Sequence, residues 1–433
     1  MSDFPRTLPL FYDYQAVIDS SSLLRKYQAI FNALDVSGFP DRPCDRGRLG
    51  ISRHALVKAM IFKHLERIDA MTQLARRINA NPVLADLCGF DQELPEDDPS
   101  VFYRFLKDTP NGRIQDLMHR TVKRLIDAGE LSDDVLILDS KPILAATREN
   151  NPKNPNRKLN KSLGHPKRNP QATLGYYSYQ KLPVGEGYAK RMQLFWGYRT
   201  HVIVNGQGIP MIEVTLPNNV TDAKAAGRLI RKFKRVYGSI RGKVVIADKA
   251  YDVKALYELI ATQMKARAII PINPRNQQRT DEDFDALGRP VCPAGLTLCY
   301  QGRCDESHRK RLKYRCPIKC DRDLAERYRH RCPVNDPHFD TYGCTRYVDV
   351  THDARAQIDR QCETFKRLYA LRQIVEQYFA RFGPRSVEQT THYKLRSVQN
   401  QVTIGHLSLA LVAAAAVALK RTDKLRSYRT LVA

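Results

Sequence analysis

Three carboxylates stand out by where they fall in the chain. Val135-Leu136-Ile137-Leu138 is an apolar run of buried-strand type that ends in Asp139, and Val244-Val245-Ile246-Ala247 is a second that ends in Asp248. A later helical stretch, Gln373-Ile374-Val375-Glu376-Gln377-Tyr378-Phe379, offers Glu376. A buried strand holds the residue at its end rigidly at the sheet edge, where an active site can form. Three acids brought together repel one another and take up protons unless a cation lies between them. Magnesium or manganese, which prefer oxygen ligands, resolve that repulsion, and two such ions can polarise a scissile phosphate and activate a water or a 3′-hydroxyl. Taken singly, an Asp after a strand is more often a turn residue or helix cap, and Glu376 reads as a surface acid paired with a nearby Arg. The combination, in this order and each in a suitable element, is what points to metal-dependent phosphoryl chemistry.

The charge balance names the partner. The 433 residues carry 71 Lys and Arg against 46 Asp and Glu, a formal net charge of +25. Such an excess repels itself unless a polyanion is present, so nucleic acid is the expected partner. No lipidation motif or amphipathic anchor supports a membrane-surface protein. The first residues lack the basic-then-apolar pattern of a signal peptide. The longest apolar run, Leu407 to Leu419, is interrupted by Ser408 and Ala-rich, and reads as a core helix. The expectation is a cytoplasmic protein with reduced thiols.

Seven of the ten cysteines lie between Cys292 and Cys344, within the 127 residues that separate Asp248 from Glu376. Clustering in a reducing compartment suggests a metal rather than disulfides. An inserted subdomain is expected there, with zinc on Cys292, Cys316, Cys320 and Cys332 as the first set. Seven thiols leave other sets open, and small buried hydrophobes are the alternative reading.

Supporting elements follow from periodicity. Residues 1–130 read as short helices with tight turns: Ser52 caps a helix through His54–Ile61, another spans Leu74–Ile78, and a third runs from Asn81-Pro82 to Gly89. Val101–Leu106 and Ile114–Ile126 continue the pattern, which fits a helix-turn-helix module or a plain bundle. From Lys141 to Arg191, eleven Lys or Arg stand against two acids, in a stretch that is either a phosphate-contact surface or a solvated loop. Gly197–Val204 and Met211–Leu216 read as a hairpin turning at Asn205–Gly208, Asp222–Tyr237 as a helix and Ala268–Ile272 as a strand. A long helical stretch is expected over Ala354–Arg381 and a final helix over Val402–Leu419, packed on the sheet.

Several of these segments resemble insertion-sequence DDE transposases. Leu136-Ile137-Leu138-Asp139-Ser140-Lys141 resembles their first catalytic strand, and Ile246-Ala247-Asp248-Lys249-Ala250-Tyr251-Asp252 their second. Tyr369, Arg372 and Glu376 fit the Tyr-x2-Arg-x3-Glu part of the Y-R-E-K signature. Gly197-Tyr198-Arg199-Thr200-His201 is similar to the segment between the two aspartates, and Leu84 to Leu106 to the helical domain ahead of such cores. The resemblance implies an α/β fold, an RNase H-like mixed sheet flanked by helices. An all-helical DNA-binding domain (1–130) would precede the core (131–280), a Cys-rich insertion (281–350) would interrupt it, and C-terminal helices (351–433) would complete it. It also implies Mg2+ or Mn2+ on Asp139, Asp248 and Glu376, cleavage at the element's ends, and attack of the freed 3′-hydroxyl on target DNA.

Partners would be double-stranded DNA, as terminal repeats and target, and a second copy of the chain in a dimer or larger synapse. Tyr369, Arg372, Arg385 and Lys141 would meet DNA. Trp196, the one Trp, would either stack on an unpaired base or pack in the core, the commoner role. One departure matters: the signature's Lys, seven positions after the Glu, is Gly383 here. Arg381 or Arg385 could make the phosphate contact instead. A nuclease without strand transfer, or a DNA-binding protein without catalysis, are the alternative readings.

Overall fold

The computed structural model describes residues 13–42, 50–151, 165–184, 187–273, 284–285, 289–306, 309–349, 354–355, 358–360, 362–383 and 385–432. In chain order the helices and strands are α1 (Tyr14–Ser20), α2 (Ser22–Ala33), α3 (Arg53–Leu65), α4 (Met71–Asn79), α5 (Pro82–Cys88), α6 (Ser100–Asp108) and α7 (Asn111–Asp127). Then come β1 (Val135–Leu144), β2 (Thr173–Val184), β3 (Gly187–Asn205), β4 (Pro210–Pro217), α8 (Asp222–Tyr237), β5 (Val244–Ile246), α9 (Lys254–Tyr257) and β6 (Arg267–Ile269). β7 (Cys299–Glu306), β8 (Arg309–Arg315), α10 (Pro317–Cys320), α11 (Arg322–Arg327) and β9 (Thr345–Asp349) follow. The chain closes with α12 (Glu363–Ala370), α13 (Gln373–Phe382), α14 (Arg385–Glu388) and α15 (Leu395–Ala418). The mixed sheet flanked by helices is the α/β architecture expected.

Two compact units contain these elements. One holds Met1–Asp133, Asp139–Gly238 and Ile374–Ala433, the other Asp134–Leu138 and Ser239–Gln373. In the first unit the helix ends form where capping chemistry dictates. Ser52 Oγ accepts from Ala55 N at 3.2 Å to start α3, and Asn81 Oδ1 accepts from Leu84 N at 3.0 Å to start α5. Gly89 stops α5 with φ +89°, a conformation that costs glycine nothing. α15 is the hub of this unit, packed by α2, α3, α6, α7 and β4. It is long and apolar enough to cross a membrane, but 89% of its most apolar window is buried inside the protein, so it is a core helix. Its polar residues are satisfied there: Asn400 Nδ2 donates to the Leu106 and Thr109 carbonyls at 2.7 and 2.8 Å, and Thr403 Oγ1 donates to the fully buried Glu213 carboxylate at 2.6 Å.

β2 and β3 pair antiparallel from Thr173↔Gly197 to Val184↔Gly187, and β4 pairs antiparallel with β3 from Tyr198↔Pro217 to Val204↔Pro210. β3 also lies beside β1. A Cβ on Gly197 would stand 2.1 Å from the Ile143 carbonyl oxygen, so only glycine permits that approach. Within the basic stretch from Lys141 to Arg191, residues 141–144, 173–184 and 187–191 are strand rather than loop. Residues 152–164 of it, and the side chains of 177–193, lie outside the described residues.

In the second unit the start of β1 pairs parallel with β5, Val135↔Val244 to Ile137↔Ile246, and β5 pairs parallel with β6, Val244↔Arg267 to Ile246↔Ile269. The Cys-rich insertion builds its own antiparallel sheet, β7-β8-β9. In the helical stretch expected over 354–381, helix among the described residues begins only at Glu363 and is broken at Leu371–Arg372 into α12 and α13.

Candidate active site

Asp139 and Asp248 each come two residues after the last pair of the β1–β5 ladder, Ile137↔Ile246, and Asp139 lies within β1, which runs on to Leu144. Each carboxylate is steadied by a backbone amide. Asp139 Oδ1 accepts from Ser140 N at 2.8 Å. Asp248 Oδ1 accepts from Ala250 N at 2.8 Å and caps the 3-10 turn Lys249–Tyr251. Glu376 lies in the first turn of α13 with an exposed side chain.

α13 is anchored by Val375, Tyr378, Phe379 and Phe382, all buried. Tyr378 shares a hydrogen bond with His406 Nδ1 of α15. The His406 ring stacks on Phe382 at 4.2 Å, and its Nε2 meets Thr200 Oγ1 of β3 at 3.1 Å. Burial keeps His406 far below the ordinary imidazole range, so it is neutral and can bridge two hydroxyls. Glu376 thus rises from a helix tied to both the core helix and the sheet of its unit.

A polar cluster forms around Ser140, the residue after Asp139. Ser140 Oγ donates to Asp222 Oδ1 at 3.1 Å, and Arg199 Nη1 donates to Ser140 Oγ at 3.2 Å. His201 Nδ1 is 3.6 Å from the same Asp222 oxygen. Among the described residues neither ring nitrogen of His201 has a hydrogen-bond partner, and burial, aided by the Arg199 and Arg228 cations, pushes its pKa down to about 3.

In the second unit, Arg372 Nη2 lies 4.0 Å from Asp248 Oδ2, so two residues singled out by the sequence pattern meet. Tyr369 stacks on Phe365 at 6.0 Å along α12. Four residues beyond Asp248, Asp252 is fully buried and accepts from Arg355 Nε and Nη2 at 2.6 Å each, Asn273 N at 2.7 Å and Tyr257 OH at 2.9 Å. Burial alone would raise this carboxyl, but the Arg355 fork and the amide outweigh it and hold it below the usual range. Arg360 extends the network to Tyr257 OH at 3.1 Å and to the Ile270 carbonyl at 3.0 Å.

Sequence reasoning missed both clusters. Asp252 sits inside a quoted motif, but its arginine partners lie about a hundred residues downstream with no local signal.

Other predicted residues fall differently. Trp196 is 2% exposed, with its backbone N and O held by Asn150 at 2.8 and 2.7 Å. Base stacking gives way to core packing, because no base reaches a ring so enclosed. Arg381 donates to the carbonyls of Gly208 and Arg426 at 3.0 and 3.1 Å, so its guanidinium braces the fold. The Arg385 side chain lies outside the described residues. Lys141 Nζ donates to the Phe379 carbonyl at 3.1 Å and pairs with Glu388 at 2.5 Å.

Asp139 and Glu376 belong to the first unit and Asp248 to the second. Among the described residues no three His, Cys, Asp or Glu are grouped to hold a metal ion. The three carboxylates are hard oxygen donors, a donor set that fits magnesium or manganese. The expected zinc set fits less well. Cys292 and Cys316 are buried in two small cores that Cys344 touches, and Cys332 packs on one of them. Cys320 is exposed and accepts from Gln301 Nε2 at 3.3 Å. Cys344, pushed up to about 12 by burial and by its bond to Asp336, packs on both cores.

Comparison with known proteins places these residues in context. The family described as "Transposase DDE domain" matches residues 130–411, a span that includes Asp139, Asp248 and Glu376. A second, "Transposase domain (DUF772)", matches residues 12–108. No curated protein matches the chain. Among solved structures, a piggyBac transposase synaptic complex with hairpin DNA is similar at 9% identity and TM-score 0.39, covering 94% of this chain and 79% of that one. A likeness at that level carries no argument.

Proposed function

Because the chain belongs to the transposase DDE domain family, we propose that it is an insertion-sequence transposase that cleaves DNA at the ends of its element and joins them to target DNA. The observation that carries this reading is the parallel pairing of Ile137 with Ile246, each two residues ahead of an aspartate within the span that the family matches. In this proposal Asp139, Asp248 and Glu376 would hold Mg2+ or Mn2+. A bound divalent cation there supplies the charge that polarises the phosphate and favours deprotonation of the attacking water or 3′-hydroxyl. The chain's own part is positional. The Ser140 and Ala250 amides fix the two aspartates, and the His406 cluster fixes the helix bearing Glu376. Tyr369, Arg372, Arg385 and Lys141 hold phosphates on either side of the scissile bond.

The four-part domain organisation, a dimer or larger synapse, and residence with DNA in a bacterial cytoplasm belong to the same proposal. Zinc on Cys292, Cys316, Cys320 and Cys332 belongs to it too, carried by cysteine spacing alone. The test is metal-dependent nicking of a labelled duplex carrying the element's ends. Wild-type protein is expected to nick at the boundary in magnesium, and Asp248→Ala to bind without nicking. Tight binding of the ends with no nicking in magnesium or manganese would defeat the catalytic reading.

A further inference from the structure

Gly383 follows α13 at the position where the resemblance places a lysine. A Cβ built there would stand 2.5 Å from Glu388 Oε1 and 3.1 Å from Lys141 Nζ. The space a side chain at 383 needs is therefore filled by an ion pair, and the cation in that pair is a lysine ammonium arriving from another element. Lys141 lies two residues past Asp139 on β1, and residues two apart on a strand share a face. Its ammonium donates to the Phe379 carbonyl, one of the four at the C-terminal end of α13 that lack a helical partner, and stands 5.8 Å from the Phe379 ring. That end of a helix favours positive charge. Phe379 is one turn beyond Glu376 on the same helix.

We propose that Lys141 supplies from β1 the phosphate-binding cation that the signature would place at position 383, and that glycine there is the accommodation that admits it. The ligand is a DNA phosphodiester oxygen beside the scissile bond. Glu388, 43% exposed, holds the place of that anion until DNA displaces it. Gly383 is then a relocation of the charge rather than its loss. The inference deepens the transposase reading and rests on it.

The test compares wild type with Lys141→Met, Lys141→Arg, Glu388→Gln and the paired Lys141→Met/Glu388→Met, using a duplex of the element's ends. Two quantities are read: the slope of log affinity against log salt, and the nicking rate in magnesium. Lys141→Met is expected to lower the slope by about 0.9, the value for one phosphate contact, and to slow nicking about ten- to a hundred-fold, as for one charge-assisted hydrogen bond. Lys141→Arg should retain the slope, and Glu388→Gln should tighten binding. The paired variant leaves no unmatched charge and should repeat the Lys141→Met result even if the single variant folds poorly. An unchanged slope in both Lys141→Met variants overturns the inference, whether or not the wild type cuts. A wild type that binds without nicking defeats the transposase reading, while the slopes still decide Lys141. No binding of the ends by wild type overturns both.

Discussion

Asp252→Asn is the most informative single change outside the three acids. The substitution keeps the shape of the buried side chain and removes its charge. In the wild type four donors converge on the carboxylate, two of them from the Arg355 fork. An amide can accept through only one of its two ends, so at least one donor must face an NH2 group. Hydrogen bonds to a buried charge contribute roughly 1.5–3 kcal/mol each, and breaking a buried ion pair costs about 3–5 kcal/mol. Arg355 keeps 23% of its side chain exposed and recovers some hydration, so a net loss of about 2–4 kcal/mol is expected near neutral pH.

The sign with pH follows from the depressed carboxyl. Its stabilisation is complete above the unfolded value of about 3.9 and is lost as pH falls through the lower folded value. Wild type and variant should converge in strong acid. Hydrogen exchange of the segments 244–257 and 267–273 in the full chain reads the effect locally, with faster exchange in the variant at pH 7. Nicking should fall too, because Asp252 follows the turn that Asp248 caps. Equal exchange rates at pH 7 would refute the reasoning.

Other expectations follow from burial. His64, His119 and His201 are each held at about 3, and His392 at about 4, chiefly by burial. Each takes up a proton only on unfolding, so stability of the first unit should decline as pH falls from about 6.5 toward those values. The slope would approach about 1.4 kcal/mol per pH unit per histidine. Urea unfolding at pH 7, 6 and 5 checks this, and a flat response would contradict it. In chelator-treated protein, exposed Cys320 and Cys362 should alkylate readily while buried Cys292 and Cys316 do not. Mass mapping reads this, and Cys320 that alkylates equally fast with zinc present would contradict its place in the zinc set.

Much of the scaffold was legible because it rests on local chemistry. Ser52, Asn81 and Gly89 mark helix ends through short-range hydrogen bonds, and α8 spans Asp222–Tyr237 as its periodicity indicates. The apolar runs leading to Asp139 and Asp248 are visible because their residues, Leu136–Leu138 and Val245–Ala247, are buried on both faces. β1 runs on to Leu144 through Ser140-Lys141-Pro142, residues with no strand signal. β2 is hidden in the same way within a basic stretch read as loop. The expected packing of the last helix on the sheet holds at β4, but α15 also takes α2, α3, α6 and α7, partners that only tertiary contact reveals. The site divides along the same line. Strand ends can be seen in a sequence, but the pairing of Lys141 with Glu388, or of Asp252 with Arg355, depends on residues more than a hundred positions apart.

The central claim is that Asp248 acts as a metal ligand in DNA cleavage, and Asp248→Cys tests it most directly. A thiolate is a poor ligand for magnesium and a better one for softer manganese. The account predicts that this variant fails to nick the element's ends in magnesium and regains nicking in manganese, while wild type works in both. Nicking by the variant in magnesium at the wild-type rate would contradict it.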